Sequence, residues 1–131
     1  MFLNVLNQEE RTKCLELFYL VVNIDGNYAE EEQTLMENYK IELGFAEVPE
    51  IKDSLEELIN YFSTKSESIR KMLYFEICGL VFADDSVAEE ERELLDSIQM
   101  KFGIDKERLI QIEELVVELQ TVYDRIYAAL A

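Results

Sequence analysis

Apolar residues recur at steps of three and four along most of this chain, and no stretch shows the alternation of a half-buried strand bounded by turn signals. The pattern predicts helices only. A first helix opens at a cap on Asn7, carries Cys14, Phe18, Val21 and Val22 on one face, and ends at Asp25-Gly26. A second runs from about Glu30 to Leu43, buries Leu35, Tyr39 and Leu43, and leaves Gly44 where a left-handed residue closes a helix. Pro49 bars its continuation. Ile51, Leu55, Leu58, Ile59 and Phe62 give a third helix before the polar break Ser63-Thr64-Lys65-Ser66. A fourth, from about Glu67 to Ala83, has Ile69, Met72, Leu73, Ile77 and Leu80 on one face and a nearly continuous apolar character that places it centrally. A fifth ends at Gly103. The sixth, capped by Asp105, carries Leu109, Ile112, Val116, Leu119, Tyr123, Ile126 and Leu130 at alternating threes and fours, a heptad seam.

That seam suits a homodimeric coiled coil. Leu115, Val122 and Ala129 widen the apolar stripe, however, which fits better a helix laid across its neighbours inside one bundle.

A second pattern lies over the first. Residues 25 to 45, DGNYAEEEQTLMENYKIELGF, align without a gap on residues 84 to 104, DDSVAEEERELLDSIQMKFGI, at a constant offset of 59. This predicts an internal duplication, with repeats at about 8–62 and 67–130 inside a single domain spanning residues 1–131. The expected fold class is all-α: a single compact bundle of about six to seven helices built from a duplicated helical repeat.

Charge narrows the partners. Twenty-nine acidic residues against 12 basic ones give a formal charge of −17, which disfavours nucleic acid and anionic membrane surfaces and leaves cations and proteins with a basic surface. The 49% hydrophobic fraction is too high for an acidic disordered tail. Cys14 and Cys78 each lie in an apolar helical stretch, reading as free buried thiols in a reducing compartment rather than as a disulfide. With no leader-like start and no window of about 18 apolar residues, a cytoplasmic location without direct membrane insertion is expected, as a monomer or weak homodimer.

The duplicated motif holds the candidate chemistry. Asp25 and Asp84 lie where the first helix of each repeat ends, and Glu30 to Glu32 and Glu89 to Glu91 open the next. Carboxylates gathered at a tight turn are hard ligands suited to Ca²⁺, Mg²⁺ or Mn²⁺. The absence of His disfavours zinc or copper, and no organic cofactor is expected. An EF-hand is rejected. Asp25, Gly26 and Glu32 match its fifth, sixth and twelfth positions with Tyr28 at the eighth, but Val21 and Asn23 stand at its first and third, Leu80 and Phe82 do so in the second repeat, and Asp85 replaces the glycine. Helix capping explains the same acids differently: first-turn carboxylates favour the macrodipole, and Glu32 and Glu91 can reach back as members of capping boxes. Capping does not explain why Asp25 and Asp84 recur ahead of the glutamates. Glu76, inside the apolar run LYFEICGLVF, is read either as an inward extension of the second cluster or as a Glu paired with Arg70 or Lys71.

With these residues in view, the chain resembles the TerB-like (tellurite resistance protein TerB) family. The resemblance rests on the apolar helix leading to Asp25-Gly26, Tyr28, and Glu32 opening a helix with Leu35 that ends at Leu43-Gly44; Asp84, Val87, Glu91, Leu94 and Gly103 echo it. The resemblance implies a duplicated α-helical bundle with an acidic cation-binding centre, associated with tellurite resistance or stress response. Asp85 in place of Gly26, and Ala29 and Ala88 where a capping residue often stands, depart from the pattern.

The expected function is therefore a non-catalytic divalent-cation-binding accessory or sensor protein. Its metal ligands are Asp25, Glu32, Asp84 and Glu91, supported by Glu31, Glu90 and Asp85. The alternative is an acidic helical adaptor without a metal site. An enzyme ranks last, for want of His, a nucleophile signature or a phosphate loop.

Overall fold

A computed structural model describes residues 1–26, 30–83 and 86–131. Every regular element among them is helical. After a short 3₁₀ turn at Leu3–Val5 come α1 (Gln8–Val22), α2 (Glu30–Glu42), α3 (Leu55–Ser63), α4 (Glu67–Val81), α5 (Glu89–Phe102) and α6 (Lys106–Leu130).

The helix ends follow local chemistry. Asn7 and Glu10 form a reciprocal capping box that starts α1, with both bonds at 2.8 Å. Ser54 and Glu57 do the same for α3, so that helix begins at Leu55 and the expected helical Ile51 lies in the preceding loop. Asp105 accepts from the Arg108 N–H at 2.8 Å and starts α6. Gly44 and Gly103 close α2 and α5 at φ of 86° and 66°, a left-handed conformation that glycine enters without steric cost.

α1 and α4 form the centre. α1 packs on α2, α3 and α4; α4 also packs on α5, α6 and α3; and α3 packs on α5. Phe18, Leu58, Phe62, Leu73, Tyr74, Ile77, Leu95 and Phe102 are closed to solvent between them. Side chains of α1 also fix the long α2–α3 connection, Glu16 accepting from the Lys52 N–H at 2.8 Å and Lys13 pairing with Asp53 at 2.7 Å.

The offset of 59 seen in the sequence reappears in the element boundaries. α1 and α4 are each 15 residues long and displaced by that offset at both ends, and Glu30 and Glu89 start α2 and α5. The correspondence stops at the third helix, where α3 has 9 residues and α6 has 25.

One expectation is corrected here. The α6 seam is not covered along its length: Ile112 and Val116 are buried, Leu109 packs against the core, and from Tyr123 to Leu130 every residue is exposed. The other described helices span 15 residues or fewer, so the bundle ends before α6 does. No helix among the described residues is long and apolar enough to cross a membrane.

Candidate functional site

A groove of about 740 Å³ lies between α2, α4 and α6. Glu31, Thr34, Leu35, Asn38, Tyr39 and Glu42 line it from α2, all within one helical face. Phe75, Glu76 and Gly79 form the α4 side, and Val116, Leu119, Gln120, Tyr123, Asp124 and Tyr127 the α6 wall. Gly79 keeps the floor low. A Cβ built there meets only the Tyr39 hydroxyl, at 3.9 Å, so the position is small without being crowded.

Glu76 is the chemical centre of this groove. It is buried, and the Tyr39 hydroxyl donates to its Oε2 at 2.6 Å, bridging α4 to α2. The Met1 ammonium lies 3.1 Å from Glu76 Oε1 and 2.9 Å from Glu42 Oε1, while the Leu3 N–H donates to Glu42 Oε2 at 3.2 Å. Charge-assisted bonds of this kind are short and strong where water is scarce. Burial, followed by the charge and hydrogen bond of Glu76, pushes the Tyr39 phenol well above its ordinary value. Burial pushes up the Cys14 thiol likewise, helped by the charges of Glu76 and Glu42. Glu76 therefore does not pair with Arg70 or Lys71. Lys71 holds Glu67, and Arg70 donates to the Lys65 and Phe102 carbonyls.

A second polar cluster ties α6 down. Glu113 accepts from the Tyr74 hydroxyl at 3.1 Å and from Arg92 at 2.9 Å, joining α4, α5 and α6 just before the exposed half begins.

The residues singled out in the duplicated motif are placed as follows. Asp25 is exposed at the turn after α1; Glu32 and Glu91 are buried in the first turns of α2 and α5, at 4% and 5% exposure. Glu91 accepts from the Ala88 N–H at 2.9 Å, the backward bond of a capping box, and Ala88 has no side-chain acceptor to complete the other half. Glu31 is exposed and belongs to the groove; Glu90 is exposed. Asp84 and Asp85, with Tyr28 and Ala29, lie outside the described residues. Among the described residues no three of His, Cys, Asp and Glu gather in a way that could hold a metal ion.

Comparison with known protein families, curated proteins and solved structures finds no match to this chain. The TerB-like resemblance accordingly stands on the residues quoted for it alone.

Proposed function

We propose that this protein is a non-catalytic, acidic helical interaction module whose groove between α2, α4 and α6 receives an amphipathic helix from a partner with a basic surface. The observation that carries this reading is a 740 Å³ groove combining apolar walls with carboxylates of Glu31, Glu42, Glu76 and Asp124. Helix-in-groove recognition needs those two properties, apolar walls for anchors at i, i+3/i+4 and i+7 and polar groups that fix orientation. Glu42 and Glu76 already accept an ammonium group, that of Met1, and a partner lysine presents the same chemistry. The net charge of −17 steers a basic partner inward and turns acidic ones away. A reducing, cytoplasmic setting suits the two free thiols, Cys14 and Cys78.

A labelled amphipathic Leu/Lys helix of about four turns is expected to bind in fluorescence anisotropy, and its Leu/Glu counterpart to fail. Gly79→Leu has room for its Cβ and grows into the groove, and is expected to weaken binding at least about tenfold with helicity unchanged. Glu90→Gln, on an exposed turn away from the groove, should change affinity less than about twofold. Wild-type binding by Gly79→Leu would remove the groove from consideration.

One observation favours a second reading, a divalent-cation-binding accessory or sensor protein of the tellurite-resistance and stress-response type. Glu32 and Glu91 occupy matching positions at the offset of 59 and are buried alike. Asp25, Glu32, Asp84 and Glu91 are its ligands, with Glu31, Glu90 and Asp85 in support, and the hard donor set fits Ca²⁺, Mg²⁺ or Mn²⁺. Calorimetric titration of the wild type with each ion is expected to give a heat that is lost in Asp25→Asn/Glu32→Gln/Asp84→Asn/Glu91→Gln. Glutamine retains an oxygen for the Ala88 N–H, so that variant separates ligation from capping. Equal heats from both proteins exclude the cation reading.

A further inference from the structure

The exposed half of α6 carries a second apolar stripe beside the groove wall. Leu115, Leu119, Val122, Ile126 and Ala129 follow one another at steps of four, three, four and three, the spacing of a coiled-coil seam. Leu115, Val122 and Ile126 are 49%, 42% and 44% exposed. Only Leu119 is shared with the groove.

We propose that this stripe pairs with the same stripe of a second copy, antiparallel, making a two-fold symmetric homodimer. Placing Leu119 opposite Val122 of the second copy puts Leu115 opposite its Ile126, and the two-fold repeats both layers. Such self-complementarity is what an isologous interface requires. Charge specifies the occupant further. On a chain at −17, most faces repel a second copy, yet the flanks of this stripe carry Glu118 on one turn and Arg125 two turns on. Arg125 is the single basic residue between Arg108 and the end of the sequence. In the antiparallel register each Glu118 comes within about two residues of the other copy's Arg125, and in a parallel register the two stay apart.

Area points the same way. A compact monomer of 15.4 kDa exposes about 7200 Å² by surface scaling, and this chain exposes 7768 Å², roughly 600 Å² more. A standard interface takes about 800 Å² from each partner. The surplus is about three quarters of that, the size of a small, weak interface. The pairing meets the groove at Leu119, while Leu115, Val122 and Ile126 lie outside the groove lining.

Sedimentation equilibrium of the wild-type protein is expected to show a dimer that tightens as salt rises to about 0.3 M, because screening relieves the repulsion of two acidic bodies. Ile126→Glu, at an exposed position, should raise the dissociation constant by about 10³-fold while leaving helicity and melting of the monomer unchanged, each substitution counting twice by symmetry. Glu118→Arg and Arg125→Glu should each weaken the dimer about fivefold, and the exchange Glu118→Arg/Arg125→Glu, which conserves net charge, should restore it to within about threefold. A monomer at about 0.5 mM (roughly ten times above a weak but specific association), or a dimer indifferent to Ile126→Glu, overturns the proposal. Failure of the charge exchange to rescue overturns the antiparallel register.

Discussion

Raising the pH from 8 to 11 is expected to strip this protein of much of its stability, with most of the loss above pH 9. Burial pushes the Cys78 thiol up to about 12, and it pushes Cys14 and Tyr39 well above their ordinary values. In the unfolded chain the thiols release their protons near 9.0 and the phenol near 10.0, while the folded protein retains them. Above pH 9 the folded state thus binds more protons than the unfolded one, and stability falls as pH rises. Below pH 9 the stabilisation from these three groups is fully present. Each approaches about 1.4 kcal/mol per pH unit once its unfolded form is ionised, so the two thiols together remove about 2 kcal/mol between pH 9 and 10 and about 3 kcal/mol per unit above that, steeper once Tyr39 joins. By pH 11 the three groups together remove about 7 kcal/mol, a large share of a total stability of ~5–15 kcal/mol. The Met1 ammonium acts in the same direction from pH 8: burial lowers its value, and the bonds to Glu42 and Glu76 outweigh that and raise it. Urea unfolding followed by circular dichroism at pH 7, 8, 9 and 10 measures the slope. Cys14→Ala/Cys78→Ala should lose most of it between pH 9 and 10. A wild-type profile flat to pH 10 would mean that the thiols ionise inside the fold.

The second large effect is mechanical. Phe18→Ala should cost about 3–5 kcal/mol and lower the melting temperature by about 12–20 °C. Phe18 is closed to solvent on α1, and its ring packs against Tyr39 of α2 with centroids 4.7 Å apart. α2 rests mainly on α1 and contributes only Met36, Tyr39 and the adjoining Leu43 to the buried apolar core. Loss of Phe18 therefore removes much of the surface that holds α2. Amide exchange should show α2 losing protection ahead of α4, and uniform loss across all helices would contradict that order.

Much of the fold was legible in the sequence because its signals are local. Asn7 and Asp105 were readable as caps, and Gly44 and Gly103 as left-handed closures, from chemistry within a few residues. Ile51 was misplaced for a related reason. Its apolar spacing runs smoothly into α3, and the Ser54–Glu57 box that starts the helix three residues later outweighs that spacing. The α6 seam shows the opposite limit: periodicity tells which residues share a face, and says nothing of whether a neighbour is long enough to cover it. The candidate site was half legible. Glu76 stood out as a carboxylate in an apolar run, but its partners Tyr39 and Met1 come from positions 37 and 75 residues away. Gly79, an interior helical glycine one turn further on, was the available signal that space was being kept open.

That glycine has an evolutionary side. In the interior of a helix, glycine sacrifices about 0.5–1 kcal/mol relative to alanine, and the backbone at Gly79 needs no special dihedral to excuse it. Side chains of graded size at this one position would shorten the groove step by step while making α4 more stable. One codon at Gly79 would therefore let descendants of this sequence reshape the groove while the fold gains stability.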